Sequence, residues 1–317
     1  MMQENDRTVH SPGVTTWLRA MRLPFLTATI VPVLLGGAIA YYQGVPFRGF
    51  EFALTLVGLA CIHLGLNLGN DYFDHTSGND EGNLTPTPFS GGSRVIQEKL
   101  IPPRAILCAS LFFFALGGGI GMVLNHLTPG NVILYVGLAG SAIAYLYTAS
   151  PVRIGYIGGL GEPVCGLGFG PLAVLGAYFV QAHRFDLAPA ILSIPVGVLI
   201  AEVLLINEFP DFDADGKVKK RTLVVLLGKK RSVAVYVALL AVPYAVVVAA
   251  IAANLAPVHT LVTWLTLPLA VYAGKVALKQ YDRIQELLPA NKSTIALHLS
   301  FGLLLSGGCL GARILGS

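Results

Sequence analysis

The chain has 317 residues, of which 54% are hydrophobic and 12% charged, with a mean hydropathy of +0.69 and a formal net charge of +4. Soluble domains carry about 25% charged residues, so the composition excludes a soluble enzyme and indicates an integral membrane protein. Long apolar runs without alternation exclude barrel strands; the expected class is all-α, a polytopic bundle of membrane helices.

The first 20 residues hold Glu4, Asp6, Arg7 and Arg19. They read as a cytoplasmic segment without a cleavable signal, because the apolar run that follows is long enough to span. From residue 21 to 317 the pattern predicts a single transmembrane domain with nine spans of about 20 residues each. They fall at 21–42, 50–70, 103–124, 130–148, 157–180, 187–208, 233–254, 257–278 and 293–314. Only the short Asn254–Pro257 break separates the seventh from the eighth. Cys61, Cys108, Cys165 and Cys309 are widely spaced in apolar segments and read as packing residues, not as a metal or disulfide framework.

Positive charge orients the bundle. With the N-terminus inside, seventeen of the 21 lysines and arginines fall in inside segments. Arg48, Arg184 and Arg313 fall outside, and Lys275 lies near a span end. Inner-face bases near anionic lipid account for the net charge without nucleic acid. The expected location is therefore the cytoplasmic membrane, with the N-terminus on the cytoplasmic side.

Nine of the seventeen acids lie in two short windows on that same side. Asp71, Asp74, Asp80, Glu81 and Glu98 follow the second span; Glu208, Asp211, Asp213 and Asp215 follow the sixth. If the second helix runs on past its apolar part, Asn67, Asp71 and Asp74 share a face at i, i+4 and i+7. Asn207, Asp211 and Asp215 share one at i, i+4 and i+8. The repeated Asn-x-x-x-Asp, at the same end of two spans, suggests an internal duplication with halves at about 21–150 and 151–317. Facing acids repel unless a cation sits between them. Ligands that are all oxygen suit Mg²⁺, which is commonly held by one or two carboxylates together with substrate phosphate oxygens. Arg94, Arg153, Lys219, Lys220 and Arg221 supply bases nearby. Acids for a divalent ion and bases for phosphate, beside a membrane, point to a lipid diphosphate. Solvated acidic caps paired weakly with lysines are the plain alternative for one window.

NDYFD at 70–74 and DFDAD at 211–215 resemble the two aspartate-rich motifs of the UbiA-type membrane prenyltransferases. The resemblance extends to MRLPFLTATIVPVLLG (21–36), with its Arg22 and Pro24, and to FSGGSRVIQEKLIPP (89–103). AYLYTASPVRIGYIGGLGEP (144–163) and DADGKVKKRTLVVLLGKKR (213–231) are similar to the branch that prenylates 1,4-dihydroxy-2-naphthoate in menaquinone synthesis. Two positions depart from the pattern. Lys219 precedes Lys220-Arg221-Thr222 where the branch has glycine. Gly78 stands where the superfamily often has the last acid of the first motif, so the next acid is Asp80.

The resemblance implies a nine-helix bundle around a central cavity, capped on the cytoplasmic side by the two motif loops. It implies transfer of a polyprenyl group from polyprenyl diphosphate to an aromatic acceptor, with release of diphosphate and, in the naphthoate branch, of CO₂. In that reading Mg²⁺, with Mn²⁺ as a substitute, is held by Asp71, Asp74, Asp211 and Asp215, with Asn67 and Asn207 as neutral ligands or orienters. Arg22, Arg94, Arg153 and Lys220 bind the diphosphate. Tyr145, Tyr147, Tyr156 and Phe169 are candidates to face the allylic cation, since aromatic rings attract cations. Glu162, near the inner end of the fifth span, is a site candidate as an intramembrane acid. Glu202 reads equally as a structural partner, His63 as a packing residue or an acceptor contact, and His298 as packing. The glycines of GGLGEPVCGLGFG (158–170) serve helix packing or leave room for an isoprenoid. The competing readings are another acceptor such as 4-hydroxybenzoate, a secondary transporter of an anionic metabolite, and a non-catalytic relative.

Overall fold

A computed structural model describes residues 12–316. Residues 1–11 of the predicted N-terminal segment, including Arg7, lie outside the described residues. The fold is helical, with no strand among the described residues. In chain order the helices are α1 (Val14–Ala20), α2 (Thr27–Tyr42), α3 (Gly49–Ser77), α4 (Asn79–Gly82), α5 (Pro103–Leu127), α6 (Val132–Leu146), α7 (Gly161–Leu167), α8 (Ala173–Ala182), α9 (Leu187–Lys217), α10 (Leu223–Leu227), α11 (Lys229–Leu239), α12 (Val242–Ala252), α13 (Leu267–Gln280) and α14 (Ile284–Leu315).

Among the described residues eight helical stretches are long and apolar enough to cross a membrane, and a ninth apolar helix is shorter. The fourth predicted span, 130–148, is α6, of only 15 residues. It starts after Asn131, and the chain turns at Thr148–Pro151. The break at Asn254–Pro257 is present: Asn254 takes a left-handed φ of +56°, and Leu255 N–H returns to the Ala250 carbonyl at 2.8 Å. The other predicted spans correspond to crossing helices, but three of these run past the apolar segments. α3 continues to Ser77, α9 continues to Lys217, and α14 begins at Ile284 rather than near 293.

Asn291 explains the early start of α14. Pro210 lies inside α9 and has no N–H to give the Ile206 carbonyl one turn back. The Asn291 side-chain amide takes that vacant acceptor at 3.1 Å and also bonds Asn207 Oδ1 at 2.8 Å. The first turns of α14 are thus tied to the motif end of α9. The largest core cluster joins α2, α9 and α11–α14 through Leu35, Val196, Tyr236 and Phe301, among others.

Between α7 and α8 the helix loosens into a π turn over Gly168–Leu172, which contains Pro171. Close approach to α9 makes glycine necessary here. A Cβ on Gly170 would lie 2.5 Å from Gly197 Cα, and one on Gly166 would lie 2.8 Å from the Gly197 carbonyl oxygen. The glycines of 158–170 therefore serve helix packing at Gly166 and Gly170. Because the obstacle is backbone, Gly170→Ala must push α7–α8 away from α9. The expected result is a loss of about 1–3 kcal/mol of stability, read as a lowered melting temperature of the detergent-solubilised protein.

Candidate active site

The ends of α3 and α9 both line a cavity of about 520 Å³, and α4 packs against α9 at its mouth. α3 stops at Gly78, whose φ of +76° is left-handed. The chain then doubles back as α4, which carries Asn79 and Asp80 to the cavity wall. The two motif helices are knit together by neutral donors. Asn79 Nδ2 donates to Asp215 Oδ1 at 3.1 Å, and Asn83 Nδ2 to Asp211 Oδ1 at 2.7 Å. Lys220 spans both, its Nζ 3.4 Å from Asp215 Oδ1 and 3.9 Å from Asp74 Oδ2. Asp74 also accepts from the Tyr156 hydroxyl at 2.9 Å and from Asn70 Nδ2 at 3.1 Å.

The predicted site residues divide into two groups. Asn67, Asp74, Tyr147, Asn207, Asp211, Asp215, Arg22 and Lys220 line the cavity. Asp71 lies behind this wall, engaged by the Ser93 hydroxyl and by the Ser93 N–H at 3.2 Å. Asn67 donates its amide to the Met21 carbonyl at 3.1 Å, and the Asn207 oxygen accepts from Asn291 Nδ2 at 2.8 Å. Arg94 donates to the Asp80 carbonyl, holding the first loop. Arg153 bonds Ser150 Oγ at 2.9 Å and stacks over the Tyr156 ring, away from the cavity wall. Tyr145 packs edge-on against Phe73 and Phe114. Glu162 accepts the Leu223 N–H at 2.6 Å and so anchors the loop that carries Lys220. Phe169 lines the cavity.

Sequence reasoning missed Asn79, Asn83, Ser93 and Glu208, and it left Asp80 at the margin. Only the left-handed turn at Gly78 brings Asp80 back toward Asp74 and Asp71. The signal was present as a glycine followed by Asn-Asp, but the direction of the return is a tertiary property.

The electrostatics are those of crowded acids. Burial first, and then the charges of Asp74 and Asp71, push the Asp80 carboxyl up to about 8. Burial works against a charged Lys220, yet Asp215, Asp74, Tyr156 and Asp211 outweigh it and hold its ammonium protonated well above the usual lysine range. Burial, and then Asp74, raise the Tyr156 hydroxyl. Asp80 Oδ2, Asp215 Oδ2 and Asn79 Oδ1 are buried without a hydrogen-bond partner. Orphaned oxygens of this kind, with no sulfur or imidazole among them, fit a hard cation such as Mg²⁺. Among the described residues no three His, Cys, Asp or Glu side chains enclose an ion by themselves. An ion held here would share its coordination with oxygens of a ligand, the usual habit of Mg²⁺ on phosphates.

Residues 29–300 match the UbiA prenyltransferase family. The chain belongs to that family. Over 300 residues it is 31% identical to the 1,4-dihydroxy-2-naphthoate octaprenyltransferase of Bacillus subtilis, covering 95% of this chain and 93% of that one. Its fold is similar to that of a UbiA homolog from Aeropyrum pernix K1, with TM-score 0.64, 18% identity, and 91% and 97% of the two chains covered. It is also similar to a UbiA homolog from Archaeoglobus fulgidus bound to GPP and Mg²⁺, with TM-score 0.56, 16% identity, and 92% and 99% covered. This UbiA prenyltransferase is thus a multi-pass membrane enzyme, with the acids of its two motifs gathered around one cavity mouth.

Gly92 gives a test of the mouth that needs no turnover. Its φ is +71°, and a Cβ there would collide with the Asp80 carboxylate and lie 3.2 Å from Asp71 Oδ1. Gly92→Ala is expected to abolish the rise in melting temperature that Mg²⁺ with inorganic diphosphate gives the wild type, while leaving the ligand-free melting temperature within a few degrees.

Proposed function

We propose that this enzyme transfers a polyprenyl group from polyprenyl diphosphate to 1,4-dihydroxy-2-naphthoate in menaquinone synthesis, using Mg²⁺ and releasing diphosphate and CO₂. The observation that carries the reading is the pairing of Asp74 and Asp80 with Asp211 and Asp215 across Lys220, directly above an apolar cavity. The naphthoate acceptor is supported by the B. subtilis relative and by the stretches 144–163 and 213–231. The use of Mg²⁺ is supported by the orphaned oxygens and by the A. fulgidus neighbour.

In this mechanism Lys220 and Arg22 hold the diphosphate end of the donor at the mouth. Asp74, Asp80, Asp211 and Asp215 would hold the ion, with Asp71 fixing the Ser93 loop behind them. A bound Mg²⁺ supplies positive charge against the diphosphate that leaves. Lys220 and Arg22 add fixed positive charge at the same end, where it acts without reorganisation. Tyr156 and Asn70 orient Asp74. The C–O bond breaks, and the leaving diphosphate takes the electron pair. The apolar wall keeps water from the allylic cation, and Phe169 and Tyr147 present rings to it. The isoprenoid lies along the lower cavity between α5, α6 and α8. The lysine and arginine distribution supports a mouth on the cytoplasmic side, with each half of the domain contributing one motif helix.

Purified enzyme incubated with a polyprenyl diphosphate, Mg²⁺ and dihydroxynaphthoate is expected to form a prenylated, decarboxylated product and diphosphate in equal amounts. EDTA should remove the activity. Asp74→Ala and Asp211→Ala should each lower it by a hundredfold or more, a loss in the range seen when transition-state charge stabilisation is removed. Faster turnover with 4-hydroxybenzoate would move the enzyme to another acceptor branch. No product with either acceptor would overturn prenyl transfer.

A further inference from the structure

The cavity changes character within one turn of α3. Asp74 and Asn67 belong to its polar mouth, while Leu59 and Ile62 belong to its apolar body. His63 sits at the boundary, one turn before Asn67 and about 6 Å from it along the helix. It lines the cavity and is 5% exposed. Its Nδ1 meets Thr29 Oγ at 2.7 Å. Its ring lies against Phe169 with centroids 4.9 Å apart. That bond to Thr29 is its one hydrogen bond among the described residues, so Nε2 is left to the cavity.

A histidine kept for packing has no need to aim a free nitrogen at a cavity, because buried polar groups are normally partnered. His298 differs in place: its Nε2 is also without a hydrogen-bond partner, but the residue is buried and away from the cavity wall, whereas His63 lines it. The depth of His63 matters as well. Asp74 is eleven residues, about 16 Å, from His63 along α3, but Arg22 also lines the cavity and follows Met21, whose carbonyl takes the Asn67 amide; a diphosphate that reaches from Lys220 down to Arg22 brings its reacting carbon to the lower edge of the polar mouth. The aromatic acceptor must therefore present its ring carbon at the level of His63.

We propose that His63, held by Thr29 and backed by Phe169, is a catalytic residue that receives the hydroxyl proton of the aromatic acceptor; the proposal rests on the prenyl-transfer reading. With Nδ1–H donated to Thr29 Oγ, Nε2 carries the lone pair that accepts. In the step, the ring's π pair forms the new C–C bond to the allylic carbon. The C–O bond to diphosphate breaks, and its pair departs with the diphosphate. The O–H pair of the acceptor becomes the second bond of a ring carbonyl, and the proton moves to Nε2. A neutral imidazole becomes imidazolium, the acceptor's charge balances, and no further reactant is required.

The test uses full-length enzyme in lipid nanodiscs. His63→Phe keeps a flat ring and removes both nitrogens. It is expected to lower kcat about a hundredfold, as for a lost general base, with the KM for the diphosphate donor unchanged. His63→Gln should restore acceptor affinity but not kcat. The mono-methyl ether of the acceptor should bind the wild type up to about tenfold more weakly than the free hydroxyl compound, and bind His63→Phe equally well. An unchanged kcat in His63→Phe, or an equal loss for ether and hydroxyl compounds, would overturn the proposal. Should His63→Phe not fold, the wild type labelled with ¹⁵N-histidine decides: the Nε2 resonance of His63 shifts when acceptor is added, and an unmoved resonance overturns the assignment. Wild type that prenylates no aromatic acceptor would sink the parent reading and this one with it, whereas active wild type with an indifferent His63 sinks this one alone.

Discussion

Carboxylates at the end of two membrane helices cannot stand together as bare charges, and much of this structure answers that constraint. Two like charges about 4 Å apart near a protein surface repel by about 4 kcal/mol, whereas a typical hydrogen bond returns about 1 kcal/mol. Asn79, Asn83, Asn70, Tyr156 and Ser93 each donate to one of the acids, and together they fix where the carboxylates point. They do not neutralise them. Lys220 brings one positive charge to a cluster containing Asp74, Asp80, Asp211 and Asp215. The remaining excess of negative charge, with oxygens left unpartnered, fits the cation and anionic ligand proposed for the mouth.

The scaffold is arranged to keep that mouth rigid. Pro210 breaks the hydrogen-bond ladder of α9 beside the second motif, and Asn291 of α14 repairs it while holding Asn207. Glu162 holds the N–H of Leu223, and the backbone pairs of Arg221 with Tyr156 and Gly159 join the two loops beyond α6 and α9. Lys220 and Tyr156, which approach Asp74 from different loops, are thereby fixed relative to each other. A positively charged side chain on a free loop would lose side-chain entropy on every encounter with its partner; here the loop geometry has already been set by backbone bonds.

What the sequence made legible follows from local periodicity. The spacing of Asn67, Asp71 and Asp74, and of Asn207, Asp211 and Asp215, placed the acids on shared helix faces, and both helices run on through the motifs. Periodicity carries no information about what lies across the space. It put Asp71 and Asp74 on equal terms, although Ser93, 22 residues on, draws Asp71 off the cavity wall. It left Asp80 aside because Gly78 interrupts the pattern, yet that same glycine turns the chain back and delivers Asp80 to the mouth. The short α6 was read as a full span because apolar composition continues through Tyr147 and Ala149, where the helix has already ended. The start of α14 was set too late because Lys292 and Asn291 look like loop residues until Asn291 is seen to serve α9.

The boundary between the polar mouth and the apolar body separates two properties of the enzyme. In the proposed reaction a diphosphate held at the mouth fixes the reacting carbon at one depth, so the bond that forms is independent of how much isoprenoid hangs below. The lower cavity has a wall from α5, α6 and α8 where Gly118, Gly121 and Gly137 leave open space for the isoprenoid. Hydrophobic burial there grows with each added methylene by about 0.8 kcal/mol, and it does so equally before and after bond breaking. Such uniform binding tightens the complex without lowering the chemical barrier. On the proposed reading, changes in the lower wall are therefore free to alter which chain lengths are held, while the barrier is governed by the charged groups at the mouth.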